Sequence, residues 1–168
     1  MADRGVGDDL LHLYPALHAY ARYLTRNTHD AEDLVQEAFV RCLGRRRISE
    51  IENLEAFVRR VITNEYLRMM RRTLRLRPSQ RVETTFRDEL QDVLDDNGLQ
   101  SLLGVLTPRE RVAVVNRYYL DLSEAATATE TGCTVGTVKT LNSRALTKLR
   151  KNLSAPIPFR IQPSNDRG

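Results

Sequence analysis

The chain has 168 residues, with 26 Lys and Arg against 22 Asp and Glu and a hydrophobic fraction of 41%. That length suits one average domain or two small ones, and no window approaches the ~20 apolar residues a bilayer span needs. The opening Met-Ala-Asp-Arg-Gly-Val-Gly-Asp-Asp lacks the basic and apolar regions of a secretion signal, which argues for a cytoplasmic protein.

Leu10, Leu13, Leu17, Ala21 and Leu24 recur at helical spacing and predict a first helix, in which Pro15 marks a start or a kink. Ala31, Leu34, Val35, Ala38, Phe39, Cys42 and Leu43 predict a second helix with one continuous apolar face, capped by Asp30 and closed by Gly44. Opposite that face lie Glu32, Asp33, Gln36 and Glu37. The charge then changes sign: Met1 to Val40 holds seven acids and three bases, whereas Arg41 to Arg81 holds twelve arginines and four glutamates. Arg45, Arg46 and Arg47 open a basic loop. Asn53 would cap a third helix with a buried stripe of Leu54, Phe57, Val58, Val61, Ile62, Tyr66 and Met69. The other side of that helix carries Arg59, Arg60, Asn64, Arg68, Arg71 and Arg72.

From Leu74 to Asn97 the periodicity is weak, and Val82 to Asp96 carries six acids and one arginine, so this stretch is expected to be a linker with a short helix over 86–94. A second helical unit runs from Leu99 to about Leu153. The tail beyond it has three prolines and no pattern, and is expected to be extended or disordered. No alternation is long enough for a sheet, so the fold class is all-α.

Within the second unit, Ser123 caps a short helix, Gly132 supplies a left-handed turn, and Thr134 caps a helix carrying Thr137, Lys139, Thr140, Ser143, Arg144 and Lys148. This is the helix-turn-helix plan, whose second helix enters the DNA major groove. An ordinary antiparallel helix pair would share the local pattern. Two basic blocks separated by an acidic stretch favour two surfaces for a polyanion.

Catalysis has no candidate: His12, His18 and His29 lack metal-ligand spacing, and there is no phosphate-cradling glycine loop. No cofactor or metal is expected. Cys42 and Cys133 are too few and too far apart for a disulfide framework.

Asp30-Ala-Glu-Asp-Leu-Val-Gln-Glu37 with Ala38-Phe39-Val40-Arg41 resembles region two of bacterial sigma factors. Leu106-Thr-Pro-Arg-Glu-Arg111, Arg117-Tyr-Tyr-Leu-Asp-Leu-Ser-Glu-Ala125 and Gly132-Cys-Thr-Val-Gly-Thr-Val-Lys139 resemble region four. Two such regions with little between them are similar to the extracytoplasmic-function group. The resemblance implies a region 2 domain over 1–77, a linker over 78–98, a region 4 domain over 99–153 and a tail over 154–168. It implies an alternative sigma factor, not an enzyme, that binds core RNA polymerase and recognises the −35 and −10 elements of promoter DNA.

Carried onto this chain, Glu32, Asp33, Gln36 and Glu37 would dock on the clamp coiled coil of the largest polymerase subunit, with region four on the flap of the second-largest. Arg45, Arg46, Arg47, Asn53, Arg60, Asn64, Arg68 and Arg71 would hold the −10 element, and the basic loop would receive a flipped-out base. Thr137, Lys139, Thr140, Ser143, Arg144 and Lys148 would read the −35 duplex. Asp88, Glu89, Asp92, Asp95 and Asp96 would thread toward the polymerase cleft, and an anti-sigma factor is implied as inhibitor; no membrane partner is.

The chain departs from the family pattern at Phe57, where Trp is usual, at Ile48-Ser-Glu-Ile51, and at Leu141 and Asn142 of the recognition helix. Asn142 implies either a slight rotation of that helix or a half-buried amide in need of a hydrogen-bond partner. The rival reading is a polymerase-independent helix-turn-helix regulator, which would not need the first half of the chain.

Overall fold

A computed structural model describes residues 5–25, 27–76 and 97–153. The expected short helix over 86–94, the acidic linker residues and the C-terminal tail lie outside the described residues. Every regular element described is helical, in agreement with the all-α expectation.

Helix α1 (Val6–Leu24) buries Leu10, Leu17, Tyr20, Ala21 and Leu24. Pro15 lies inside it and faces solvent, so it neither starts nor ends the helix. Helix α2 (Thr28–Leu43) begins one turn earlier than the apolar pattern suggests. Asn27, not Asp30, is its N-cap: the Asn27 Oδ1 accepts from the Asp30 backbone N–H at 2.7 Å, while its Nδ2 donates to the Asp30 carboxylate at 2.8 Å. Asp30 thus sits in the first turn, favourably placed for the helix dipole. The core stripe of α2 ends at Cys42. Leu43, expected to be buried, is 56% exposed. Gly44 closes α2 with an ordinary right-handed φ of −73°.

A single 3₁₀ turn at Ile48–Glu50 leads to α3 (Leu54–Leu76), whose first turn is capped by Asn53 Oδ1 accepting from the Ala56 N–H at 2.9 Å. The apolar stripe of α3 packs as expected, with Val58, Ile62 and Tyr66 fully inside. Helices α1, α2 and α3 form the first unit.

The second unit starts with α4 (Asn97–Gly104), two residues before the sequence pattern suggests. Helix α5 (Pro108–Val114) follows, opened by a reciprocal capping box between Thr107 and Glu110. Val115–Tyr119 is a π-type turn, in which the Leu120 N–H reaches back to the Val115 carbonyl. No apolar periodicity announces such a turn, because one extra residue shifts the phase. Asp121 then adopts φ +54°, a conformation Asp tolerates better than most residues.

Helices α6 (Glu124–Thr131) and α7 (Val135–Leu153) form the helix-turn-helix. Gly132 between them has φ +67°, and an added Cβ there would meet nothing within 4 Å among the described residues. Gly132→Ala is therefore expected to cost about 1 kcal/mol by backbone strain alone. Thermal melting followed by circular dichroism should show a fall of roughly 2–4 °C.

The two units share one apolar cluster. Leu103, Leu106, Val112, Val114, Val115 and Ala145 join the buried residues of α1 to α3. Within that cluster the Tyr20 hydroxyl bridges both units, donating to Asn116 Oδ1 at 2.8 Å and lying 2.8 Å from Thr63 Oγ1. Burial pushes the Tyr20 phenol above its ordinary value, with the Thr63 hydrogen bond pulling the other way. One guanidinium also ties the units at their ends: Arg111 donates to the Leu24 carbonyl at 2.7 Å and to the Leu103 carbonyl at 3.1 Å. Gln100 adds a bond to the Arg22 carbonyl, and Tyr23 packs against Tyr119. The expected pair of small domains is present, and over the described residues they stand closed upon one another.

Candidate nucleic-acid interface

Three surfaces carry the residues singled out from sequence. On α2, Asp33, Gln36 and Glu37 are exposed and Glu32 is half-buried. Arg41 holds Glu37 at 2.9 Å and also reaches Glu65 of α3 at 3.2 Å, while His29 lies 3.6 Å from Asp33. Sequence reasoning missed the apolar end of this surface. Val40 and Leu43 continue the same row of the helix and are 66% and 56% exposed. A polar row ending in bare apolar side chains has the composition of a docking face. Hydropathy alone could not find it, because Leu43 also fits the core spacing.

Arg45, Arg46 and Arg47 are all exposed, and with Glu50, Ile51 and Phe57 they surround an open pocket of about 470 Å³. The Arg45 guanidinium lies 4.9 Å above the Phe57 ring, a cation–π geometry. Phe57 is half-buried, so its ring serves both the core edge and the pocket wall. Behind the loop, burial pushes the Cys42 thiol up despite the opposing charge of Arg45.

The polar side of α3 is divided. Asn64, Arg68 and Arg71 are exposed, with Arg68 held by Glu65 at 2.7 Å. Asn53 is exposed at the head of α3 and uses its Oδ1 in the cap. Nearer the second unit, Arg60 donates to the Thr129 carbonyl at 2.5 Å. Arg59 bonds Glu130 at 2.7 and 3.4 Å and Glu55 at 2.8 Å. Burial disfavours the Arg59 cation, but Glu130 and Glu55 more than compensate, and its pKa lies above the usual value.

The α7 surface is set by Thr134, whose Oγ1 accepts from the Thr137 N–H at 3.1 Å and lies 2.9 Å from the Thr137 hydroxyl. Lys139, Thr140, Ser143 and Arg144 are exposed, and Lys139 lies 3.8 Å from Glu124. Thr140 returns its hydroxyl to the Gly136 carbonyl at 3.0 Å. Lys148 differs from these: its Nζ lies 2.8 Å from Glu110 Oε2, bracing α7 against the capping box of α5. Burial raises the Glu110 pKa, but the Lys148 ammonium and the Thr107 N–H outweigh it and hold the carboxyl below the ordinary range.

Of the two alternatives at Asn142, burial is observed. Val138 and Ala145 remain fully inside, Asn142 is 7% exposed between them, and its Oδ1 meets no donor among the described residues. The helix has not rotated away from its expected phase.

No helix among the described residues is long and apolar enough to cross a membrane. The structure groups Arg45–Arg47 with Phe57, and α7 presents its own row separately. Among the residues that sequence reasoning left out of any site, Tyr20, Asn116 and Glu130 help to join the two units.

Comparison with known proteins places both units. Residues 10–76 match the family model described as Sigma-70 region 2, and residues 97–149 match Sigma-70, region 4. An RNA polymerase sigma-E factor of Streptomyces coelicolor is 36% identical over 143 residues, covering 83% of this chain and 81% of that protein. The ECF RNA polymerase sigma factor SigE of Mycolicibacterium smegmatis is 31% identical over 82% of this chain and 57% of its own length. Among solved structures, the sigma factor RpoE in complex with the anti-sigma factor NepR from Bartonella quintana superposes with a TM-score of 0.70 at 27% identity, covering 92% of this chain and 99% of that one. CnrH, in complex with the cytosolic domain of CnrY, shares the fold with a TM-score of 0.64 at 22% identity. Nothing in these matches favours a polymerase-independent regulator. With both regions present in order and relatives at this level of identity, the chain belongs to the sigma-70 family, as an extracytoplasmic-function sigma factor that directs RNA polymerase to promoters.

Proposed function

We propose a division of labour among the three surfaces of this cytoplasmic sigma factor. The α2 row of Glu32, Asp33, Gln36 and Glu37, extended by Val40 and Leu43, docks on the clamp coiled coil of the largest polymerase subunit. Region 4 meets the flap of the second-largest. The loop pocket of Arg45, Arg46, Arg47 and Phe57 takes an unstacked base of the −10 element. Asn53, Arg60, Asn64, Arg68 and Arg71 follow the strand's phosphates and base edges. On α7, Thr137, Lys139, Thr140, Ser143 and Arg144 face the −35 major groove, where Arg suits guanine and the hydroxyls suit several bases. Lys148 contributes by fixing α7 on Glu110.

The observation that carries this reading is the exposed α7 row behind a glycine turn, in the same chain as a region 2 unit with a basic, aromatic-walled pocket. An anti-sigma protein is the proposed inhibitor, supported by the complexes in which relatives of this fold are found. Run-off transcription with purified core enzyme, with and without the chain, tests the whole reading. Promoter-specific transcripts only in its presence support it, whereas specific duplex binding without affinity for core enzyme would sink it. At the level of one contact, Arg144→Ala should cost about 1–3 kcal/mol on the preferred −35 sequence and far less on others if it reads a base. A uniform loss with a shallower salt dependence would assign Arg144 to phosphate instead.

A further inference from the structure

Where the two units meet, the end of α6 covers the nucleic-acid side of α3. Thr129 and Glu130 occupy the last turn of α6, where free carbonyls carry the negative end of the helix dipole. Two successive arginines of α3 reach them. Arg59 approaches the Glu130 carboxylate side-on, with Nη2 to Oε1 at 2.7 Å and Nε to Oε2 at 3.4 Å, and Arg60 donates to the Thr129 carbonyl at 2.5 Å. The Arg59 and Glu130 side chains are only 11% and 14% exposed. A carboxylate and a carbonyl presented to two adjacent guanidiniums offer the same acceptors, in the same forked geometry, as a phosphodiester.

We propose that the C-terminal end of α6 is an internal stand-in for a nucleic-acid backbone. It occupies the α3 face in the free chain and has to be displaced before single-stranded DNA can lie there. This inference rests on the reading of α3 as a DNA face. The closure has further support at other points of the same contact: the Tyr20–Asn116 bond, Arg111 on the Leu24 carbonyl, Gln100 on the Arg22 carbonyl and the Tyr23–Tyr119 rings. These bonds do not involve DNA-facing side chains, so they set how tightly the stand-in is held. DNA and α6 therefore compete for Arg59 and Arg60, and binding of one strand loosens the two units from each other.

The test uses the full chain and a fluorescein-labelled single-stranded DNA 20-mer of mixed sequence, read by anisotropy. Radii of gyration come from small-angle X-ray scattering. Glu130→Gln should bind the strand about 3–10-fold more tightly than the natural chain, as expected for loss of one charge-assisted, partly buried ion pair. It should also show a larger radius of gyration. Asp121→Asn, which removes the same charge from the exposed loop before α6, sets the effect of net charge alone and should stay within about twofold. Saturating DNA should expand the natural chain and leave Glu130→Gln little changed.

Equal affinities for Glu130→Gln and Asp121→Asn would overturn the proposal, and so would a natural chain that binds the strand without expanding. Arg71→Ala separates this failure from failure of the underlying reading. It should weaken binding in both backgrounds, and no loss in either would mean that α3 is not a DNA face at all.

Discussion

Arg111→Met is expected to destabilise the chain by about 3 kcal/mol or more, although methionine fills much of the same volume. Arg111 is 4% exposed, and its guanidinium serves the Leu24 and Leu103 carbonyls. Both acceptors lie in the last turn of a helix, α1 and α4 respectively, where carbonyls lack intrahelical partners. A buried cation at two such ends is favourable by charge and by hydrogen bonding, at about 1.5–3 kcal/mol per charge-assisted bond. Methionine would take the guanidinium from the buried Leu24 carbonyl and leave the Leu103 carbonyl with only the Leu106 N–H, 3.2 Å away. Urea unfolding of the full chain should show a lower midpoint with a similar slope. A midpoint within error of the natural chain would mean that solvent replaces the guanidinium at both ends.

The second large effect should be functional and leave stability alone. Asp33→Lys combined with Gln36→Lys reverses the exposed row of α2 without touching the Arg41 pairs or the core. Melting should be nearly unchanged, since exposed substitutions usually fall within about 0.5 kcal/mol. Affinity for core polymerase should fall by about 30-fold or more, because like charges brought together across an interface cost several kcal/mol. Binding of α7 to −35 duplex should remain. Val40→Asp offers an independent arm, since it places a charge in the exposed apolar end of the same row. Transcription that survives all three substitutions would move the docking surface elsewhere on the molecule.

Local pattern made much of the fold legible. The α2 and α3 stripes, the Ser123 cap, the left-handed Gly132 and the Asn53 cap all follow from short-range rules, and short-range rules decide helix ends and faces. Other features failed for identifiable reasons. Asp30 looked like a cap because it precedes the apolar pattern, yet Asn27 offers both an acceptor for the helix and a donor for Asp30. Leu43 kept the core spacing past the point where the core stops. The π-type turn at Val115–Tyr119 left no periodic trace.

The exposure of most candidate residues was legible one by one, but the relation between them was not. Tyr20 meets Asn116 across 96 positions, and Arg59 meets Glu130 across 71. Nothing in the spacing of either residue distinguishes a core tyrosine or a solvated arginine from one half of a bond between two units. Lys148 shows the same ambiguity. Its spacing fits the groove-facing row, and its charge is directed to a buried glutamate of a different helix.

Helix α3 is 23 residues long, roughly 35 Å of rigid rod, and its first half meets α6 through Arg59 and Arg60. Arg68, Arg71, Arg72 and Arg75 stand out on the remainder. A molecule folded shut is therefore not electrically mute: on the proposed reading of α3 as a DNA face, these exposed charges would still allow a loose attachment to duplex. Added salt would weaken that loose attachment sooner than the sheltered Arg59–Glu130 pair, since exposed charges are screened first. On that reading, ionic strength would govern the loose attachment to DNA without itself prising the two halves apart.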